Sequence, residues 1–275
     1  MDTSRESLTR LYEQVTSSLD ELFGMLGPAD WSRPTDCPAW TVKDIVAHLS
    51  SLEAIGAGLA EHAADVDVSA HPHATGFNEP IERDIEARRG WEPARLVSEF
   101  RDATLKRAET LRGMDDETFD TGSTTMPFGP MPTKDLVPIR LIDLYFHEQD
   151  LRRATGHPGH LDGDVARFCF ERIKLGLPVI LGKRVGLSEG QTAVLNLTSH
   201  AGTTLAYGVN AEGRVEALSE APAEPTVRIA CDLEHFLMLT GGRGDPKAHV
   251  ASGAVTLTGD RVLGEKILEQ LSVTP

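Results

Sequence analysis

The sequence predicts an N-terminal four-helix bundle followed by a smaller α+β domain. Three observations carry this. Four runs of apolar residues at helical spacing occupy the first half. The texture changes after "TGHPGH", residues 155 to 160, to short β-rich runs with Gly and Asn turns. A chain of 275 residues is also more than one domain of about 150 residues holds. The expected boundaries are 1–157 for the bundle and 158–275 for the second domain.

The first helix runs from Ser4 to Met25 through Leu8, Leu11, Tyr12, Val15, Leu19 and Leu22, and Gly27-Pro28 ends it. The second starts after Trp40, with Thr41 as N-cap and Asp44 completing a capping box, and continues through Ile45, Val46, Leu49 and Leu52. Residues 62–82 lack apolar periodicity and read as a long loop. A third helix spans Glu92–Arg112 through Leu96, Phe100, Leu105 and Leu111, and a fourth Thr133–Ala154. In the second half, a helix near 164–177 precedes the strands "TAVLNLT", "TTLAYGV" and "PTVRIA". A helix from Asp232 to Leu239, the turn "TGGRGDP", the strand "AVTLTG" and a helix from Asp260 to Leu271 close the chain.

A formal net charge of -15 repels phosphate backbones and anionic lipid, so nucleic-acid and membrane partners are disfavoured and a small molecule or a protein is expected. Cys37, Cys169 and Cys231 are odd in number and far apart, which fits a reducing, cytoplasmic setting better than a disulfide framework. No run reaches the roughly 18 apolar residues of a membrane helix. Phosphate-binding glycine loops, G-x-S-x-G and H-E-x-x-H are missing from the sequence.

The residues that carry chemistry lie in two stretches. In "RLIDLYFHEQDLRRATG", Asp143 and His147 are four apart on one helix face, a ready chelate for a first-row divalent ion. In "CPAWTVKDIVAHLS", His48 interrupts an aliphatic face and is placed to give a third ligand from across the bundle core. Spacing alone leaves a hydrogen-bonded histidine as the commoner outcome. Asp150 follows His147 by three and is placed either to orient it or to pair with Arg153. Glu148, about 100° round the helix from His147, is expected on the surface. Cys37 is expected as a buried structural cysteine, and the loop histidines His62, His71 and His73 as solvated. Arg243, between glycines after a predicted helix, is placed to reach a ligand carboxylate.

The pair "CPAWTVKDIVAHLS" and "LIDLYFHEQDLRRATG" closely resembles the mycothiol-dependent maleylpyruvate isomerase family, within the DinB-like metalloenzymes. "DLEHFLMLTGGRGDP" with "VTLTGDRVLGEKILEQL" is similar to that family's sterol-carrier-like C-terminal domain. The resemblance implies that His48, Asp143 and His147 bind a divalent metal, zinc first. It implies that mycothiol is the thiol cosubstrate, bound in the cleft between the bundle and the C-terminal domain, and that Arg243 serves catalysis and cofactor binding. Asp150 would be the supporting catalytic carboxylate. The isomerase itself has glutamate at the position of Asp143, so the exact substrate does not carry over.

The function so implied is a thiol-dependent metalloenzyme in which a metal-bound thiolate attacks an electrophilic small molecule, as S-transferase or cis-trans isomerase, in a monomer or homodimer. A metal-dependent hydrolase or amidase, and a non-catalytic small-molecule-binding protein, stand as alternatives.

Overall fold

The structure, a computed structural model, describes residues 1–126, 129–198 and 203–273. The chain divides into two compact units, 1–169 and 170–275. Among the described residues no helix is long and apolar enough to cross a membrane.

In the first unit, α1 (Arg5–Met25), α2 (Val42–Gly56), α4 (Pro93–Gly113) and α6 (Thr133–Thr155) are the four long helices of the expected bundle. Ser4 caps α1 through its side chain, and Thr41 and Asp44 form both arms of a capping box at α2. The core is the set of apolar stripes these helices turn inward: Leu8, Leu19, Ile45, Leu49, Phe100 and Leu141 are all fully buried. Leu105 departs from its expected place on the inner stripe and faces solvent, 66% exposed.

Several elements of this unit escaped the periodicity. Residues 78–89, part of which the sequence assigns to a loop, form α3 (Asn78–Arg89), whose fully buried apolar residue is Ile85. Ion pairs replace an apolar stripe here, with Arg88 bound to Glu99 and Arg89 to Asp44. After the short α5 (Asp116–Thr121), the hairpin of β1 (Ser123–Met126) and β2 (Gly129–Pro132) leads into α6.

The unit boundary falls within α7 (Gly163–Val179), which passes into a π-helical turn at Ile180–Val185. Among the described residues the second unit holds one five-stranded sheet of β3 (Thr192–Leu197), β4 (Thr203–Val209), β5 (Val215–Ala217), β6 (Val227–Cys231) and β7 (Thr256–Gly259). Its order is β5-β4-β3-β6-β7, with β3 and β6 parallel and the other pairs antiparallel. The helices α8 (Leu233–Thr240), α9 (Pro246–Ala251) and α10 (Arg261–Gln270) complete it. Its core includes Leu195, Ile229, Phe236 and Ile267.

Candidate metal centre

The capping box fixes where α2 begins, and His48 follows on its buried face between Ala47 and Leu49. Across the core, α6 presents Asp143, His147 and Asp150 at positions i, i+4 and i+7, one stripe of the helix. The two helices pack so that His48, Asp143 and His147 bring one donor atom each to within 4.8 Å of the others. His48 Nε2 lies 3.4 Å from Asp143 Oδ2, and His147 Nε2 lies 3.7 Å from Asp143 Oδ1. Donors around a tetrahedral zinc with bonds of about 2.1 Å are separated by about 3.4 Å, so the spacing suits such an ion.

Two further observations fit a cation here. His48 is buried, and neither of its ring nitrogens has a hydrogen-bond partner, a state that is costly unless something else satisfies them. Burial also lowers the His48 pKa, against the opposing pull of Asp143, and so favours the neutral ring that a metal needs. Asp143 is pushed up by burial, but Arg140, His48 and His147 outweigh this and hold its carboxyl well below the ordinary range. With a side chain 31% exposed, Asp143 marks the open side of the triad.

The surroundings hold these side chains in place. Arg140 Nη1 donates to Asp143 Oδ2 at 2.6 Å, which leaves Oδ1 as the freer oxygen of the short carboxylate. Arg140 is itself held by the fully buried Glu53, at 2.8 Å from Nη2 to Oε1. Asp150, 1% exposed, lies 3.1 Å from His147 Nδ1 through Oδ2 and accepts from Arg153 Nη2 at 2.6 Å through Oδ1. Both contacts considered for Asp150 in the sequence, with His147 and with Arg153, are therefore present at once. Cys37 is a correction: it is only partly buried, and its thiol donates to Asp150 Oδ2 at 3.3 Å. Trp40, which carries no sequence signal beyond preceding the cap, lies with its ring 5.0 Å from the His48 ring and 5.8 Å from the His147 ring.

Glu148 also departs from expectation. It is 1% exposed because α6 packs against α1 on this side, where Ser18, Arg152 and His160 surround its Oε1 at 2.5, 2.8 and 3.0 Å. Of these groups, Glu148, Ser18 and His160 line a cavity of about 620 Å³ together with Arg10, Glu13 and Tyr145. They satisfy one another and clasp the 157–160 segment onto α6, as Tyr145 does by donating to the His160 carbonyl.

The loop histidines are not merely solvated. His62 pairs with Asp84 at 2.7 Å, His71 with Glu86 at 3.2 Å and His73 with Glu82 at 2.9 Å, all carboxylates of α3. His71, His73 and Glu82 have donor spacing for a cation as well. Arg89 already supplies that charge, bound to Glu82 Oε1 at 2.6 Å and to His71 Nε2 at 2.8 Å. Arg243 lies in the second unit after α8, where its Nη1 donates to the Gly241 carbonyl.

The family model of the mycothiol maleylpyruvate isomerase N-terminal domain matches residues 12–152, more than half of the chain. A crystal structure of a mycothiol-dependent maleylpyruvate isomerase is 16% identical, with 92% of each chain covered and a TM-score of 0.58. A mutant of a mycothiol-dependent maleylpyruvate isomerase gives 15% identity, the same coverage and a TM-score of 0.58. Sterol carrier protein 2 like 2 from Aedes aegypti is 22% identical over 38% of this chain and 97% of its own, with a TM-score of 0.30. No curated protein matches by sequence. At these identities the isomerase structures establish a shared fold, and it is the family model, spanning both α2 and the length of α6 that carries Asp143 and His147, that assigns the lineage: the chain belongs to the mycothiol maleylpyruvate isomerase N-terminal domain family.

Proposed function

We propose that this protein is a thiol-dependent metalloenzyme in which His48, Asp143 and His147 hold a divalent cation, zinc first, and mycothiol is the thiol cosubstrate. The observation that carries the reading is the buried, unpartnered His48 facing an acidic residue and a second histidine at ligand spacing. Family membership adds the thiol. A cation bound there supplies Lewis acidity, which keeps a thiol as its nucleophilic thiolate near neutral pH.

The chain's own residues prepare that chemistry. Burial keeps His48 neutral, Arg140 keeps Asp143 ionised, and Asp150 fixes the ring of His147. The thiolate of the cosubstrate adds to one carbon of a conjugated alkene, the former double bond rotates, and elimination returns the same thiolate. An S-transferase would stop at the adduct. Isomerisation leaves the thiol concentration unchanged, whereas transfer consumes one thiol per turnover, so a thiol assay during turnover separates them. Arg243 is proposed to hold an anionic group of the ligand, and Arg243→Ala is expected to raise KM more than it lowers kcat.

The direct test is metal analysis with mycothiol titration by calorimetry. One metal per chain, with thiol affinity that disappears on chelation, is the expected result. A chain that binds no divalent metal, or that binds the thiol equally well after chelation, would overturn the proposal. Turnover with no thiol present would point to hydrolysis instead. Asp150→Ala is expected to weaken metal affinity by about 10–100-fold, the usual effect of losing a residue that orients a ligand histidine, measured by chelator competition.

A further inference from the structure

The two histidines of the centre are held differently. His147 has Asp150 at 3.1 Å from Nδ1. His48 has no hydrogen bond on either nitrogen, so beyond the 3.4 Å approach of Nε2 to Asp143 Oδ2 its ring orientation is set by packing. The packing partner is Trp40, whose ring lies 5.0 Å from that of His48 at an interplanar angle of 34° and 5.8 Å from that of His147 at 39°. The histidine rings meet edge to face at 4.9 Å, which makes the three a closed cluster.

Trp40 is anchored in turn. Its indole Nε1 donates to Glu82 Oε2 at 3.0 Å, and Glu82 is a carboxylate of α3 only 1% exposed. Arg89 Nη2 binds Glu82 Oε1 at 2.6 Å, and Arg89 Nε binds Asp44 Oδ1 at 3.0 Å. Asp44 belongs to the capping box of α2, the helix that carries His48. The connections thus run from His48 through Trp40, Glu82, Arg89 and Asp44 and return to the helix of His48. A buried carboxylate already bound to a guanidinium is a rigid acceptor, and an indole has a single donor with which to meet it.

We propose that Trp40, fixed by Glu82, is the positioning residue for His48, as Asp150 is for His147. The inference rests on the metal reading above. The expected consequence is coupling between residues on different elements, neither of which is itself a ligand. Loss of a group that orients a ligand weakens metal affinity by about 10–100-fold.

The test measures Co(II) affinity by chelator competition, together with the visible spectrum of bound Co(II), in wild type, Trp40→Phe, Glu82→Ala and their double variant. Trp40→Phe keeps an aromatic face but removes the indole donor. Each single variant is expected to weaken Co(II) binding about tenfold and to shift the spectrum. The double variant is expected to be no more than about twofold weaker than either single one, since both break one connection. Glu82→Gln, which keeps an acceptor for the indole, should stay within about threefold of wild type and serves if Glu82→Ala does not fold. Trp40→Phe with affinity within twofold of wild type and an unchanged spectrum, or fully multiplicative effects in the double variant, would overturn the inference while leaving the metal reading intact. A wild-type chain that binds no Co(II) would overturn both.

Discussion

His48→Leu is expected to abolish stoichiometric metal binding and, in the same molecule, to raise the stability of the metal-free protein. The two effects have one cause. His48 is 3% exposed and carries two ring nitrogens without a hydrogen-bond partner, so in the metal-free chain it imposes the penalty of unsatisfied buried polar groups, about 1–3 kcal/mol. Leucine has a similar volume and no polar atoms, and the neighbours Ala47 and Leu49 are already apolar and buried. A histidine kept for structure would behave oppositely, because its replacement would break bonds. His147→Ala provides the contrast: metal affinity again falls by more than the 100-fold upper range for supporting residues, but stability does not rise, since Asp150 loses a partner. Elemental analysis paired with urea unfolding of the metal-free proteins checks both variants. Lower stability of metal-free His48→Leu, or retained metal in either variant, would contradict the assignment.

Much of this arrangement of side chains was legible in the sequence, for physical reasons. Asp143 and His147 belong to one helix, so helical spacing alone places them together. His48 stood out because a polar residue on an aliphatic face must be accounted for. What joined it to the pair was the resemblance of two motifs, since no local pattern tells which helices of a bundle face each other. The bundle itself followed from apolar periodicity, and α3 was missed because it has almost none: charge pairs such as Arg88 with Glu99 hold it, and a run of mixed charge also describes a loop. Glu148 was misplaced for a related reason. Angular position on α6 gives the face, but not whether α1 covers that face, nor that Arg152 and Ser18 wait there to neutralise a carboxylate. Arg140 and Glu53 carry no sequence signal at all, because their partners lie 87 positions apart in the chain.

That last pair gives the largest stability effect expected in this protein. Glu53 is fully buried and accepts from Arg107 Nη1 at 2.8 Å, from Arg140 Nη2 at 2.8 Å and from the Tyr12 hydroxyl. The helix is shaped to allow this, since a Cβ on Gly56 would lie 2.6 Å from Arg107 Nη1. Glu53→Ala strips the anion from two guanidiniums that are themselves at most 9% exposed. Breaking a buried pair on one side is expected to destabilise by about 3–5 kcal/mol, read as a lowered urea midpoint for the first unit. Burial alone would raise the Glu53 pKa, but Arg107, Arg140 and Tyr12 outweigh it and leave the folded value below the ordinary 4.5. Its stabilising contribution is therefore complete above pH 4.5 and lost as pH falls through the lowered folded value, so wild type and Glu53→Gln should converge in acid. Removing charges in pairs should behave differently: Glu53→Met with Arg107→Met leaves Arg140 its bond to Asp143 and should recover most of the loss. If Glu53→Ala lies within about 1 kcal/mol of wild type at pH 7, the cluster is not the anchor that holds Arg140, and through it Asp143, in place.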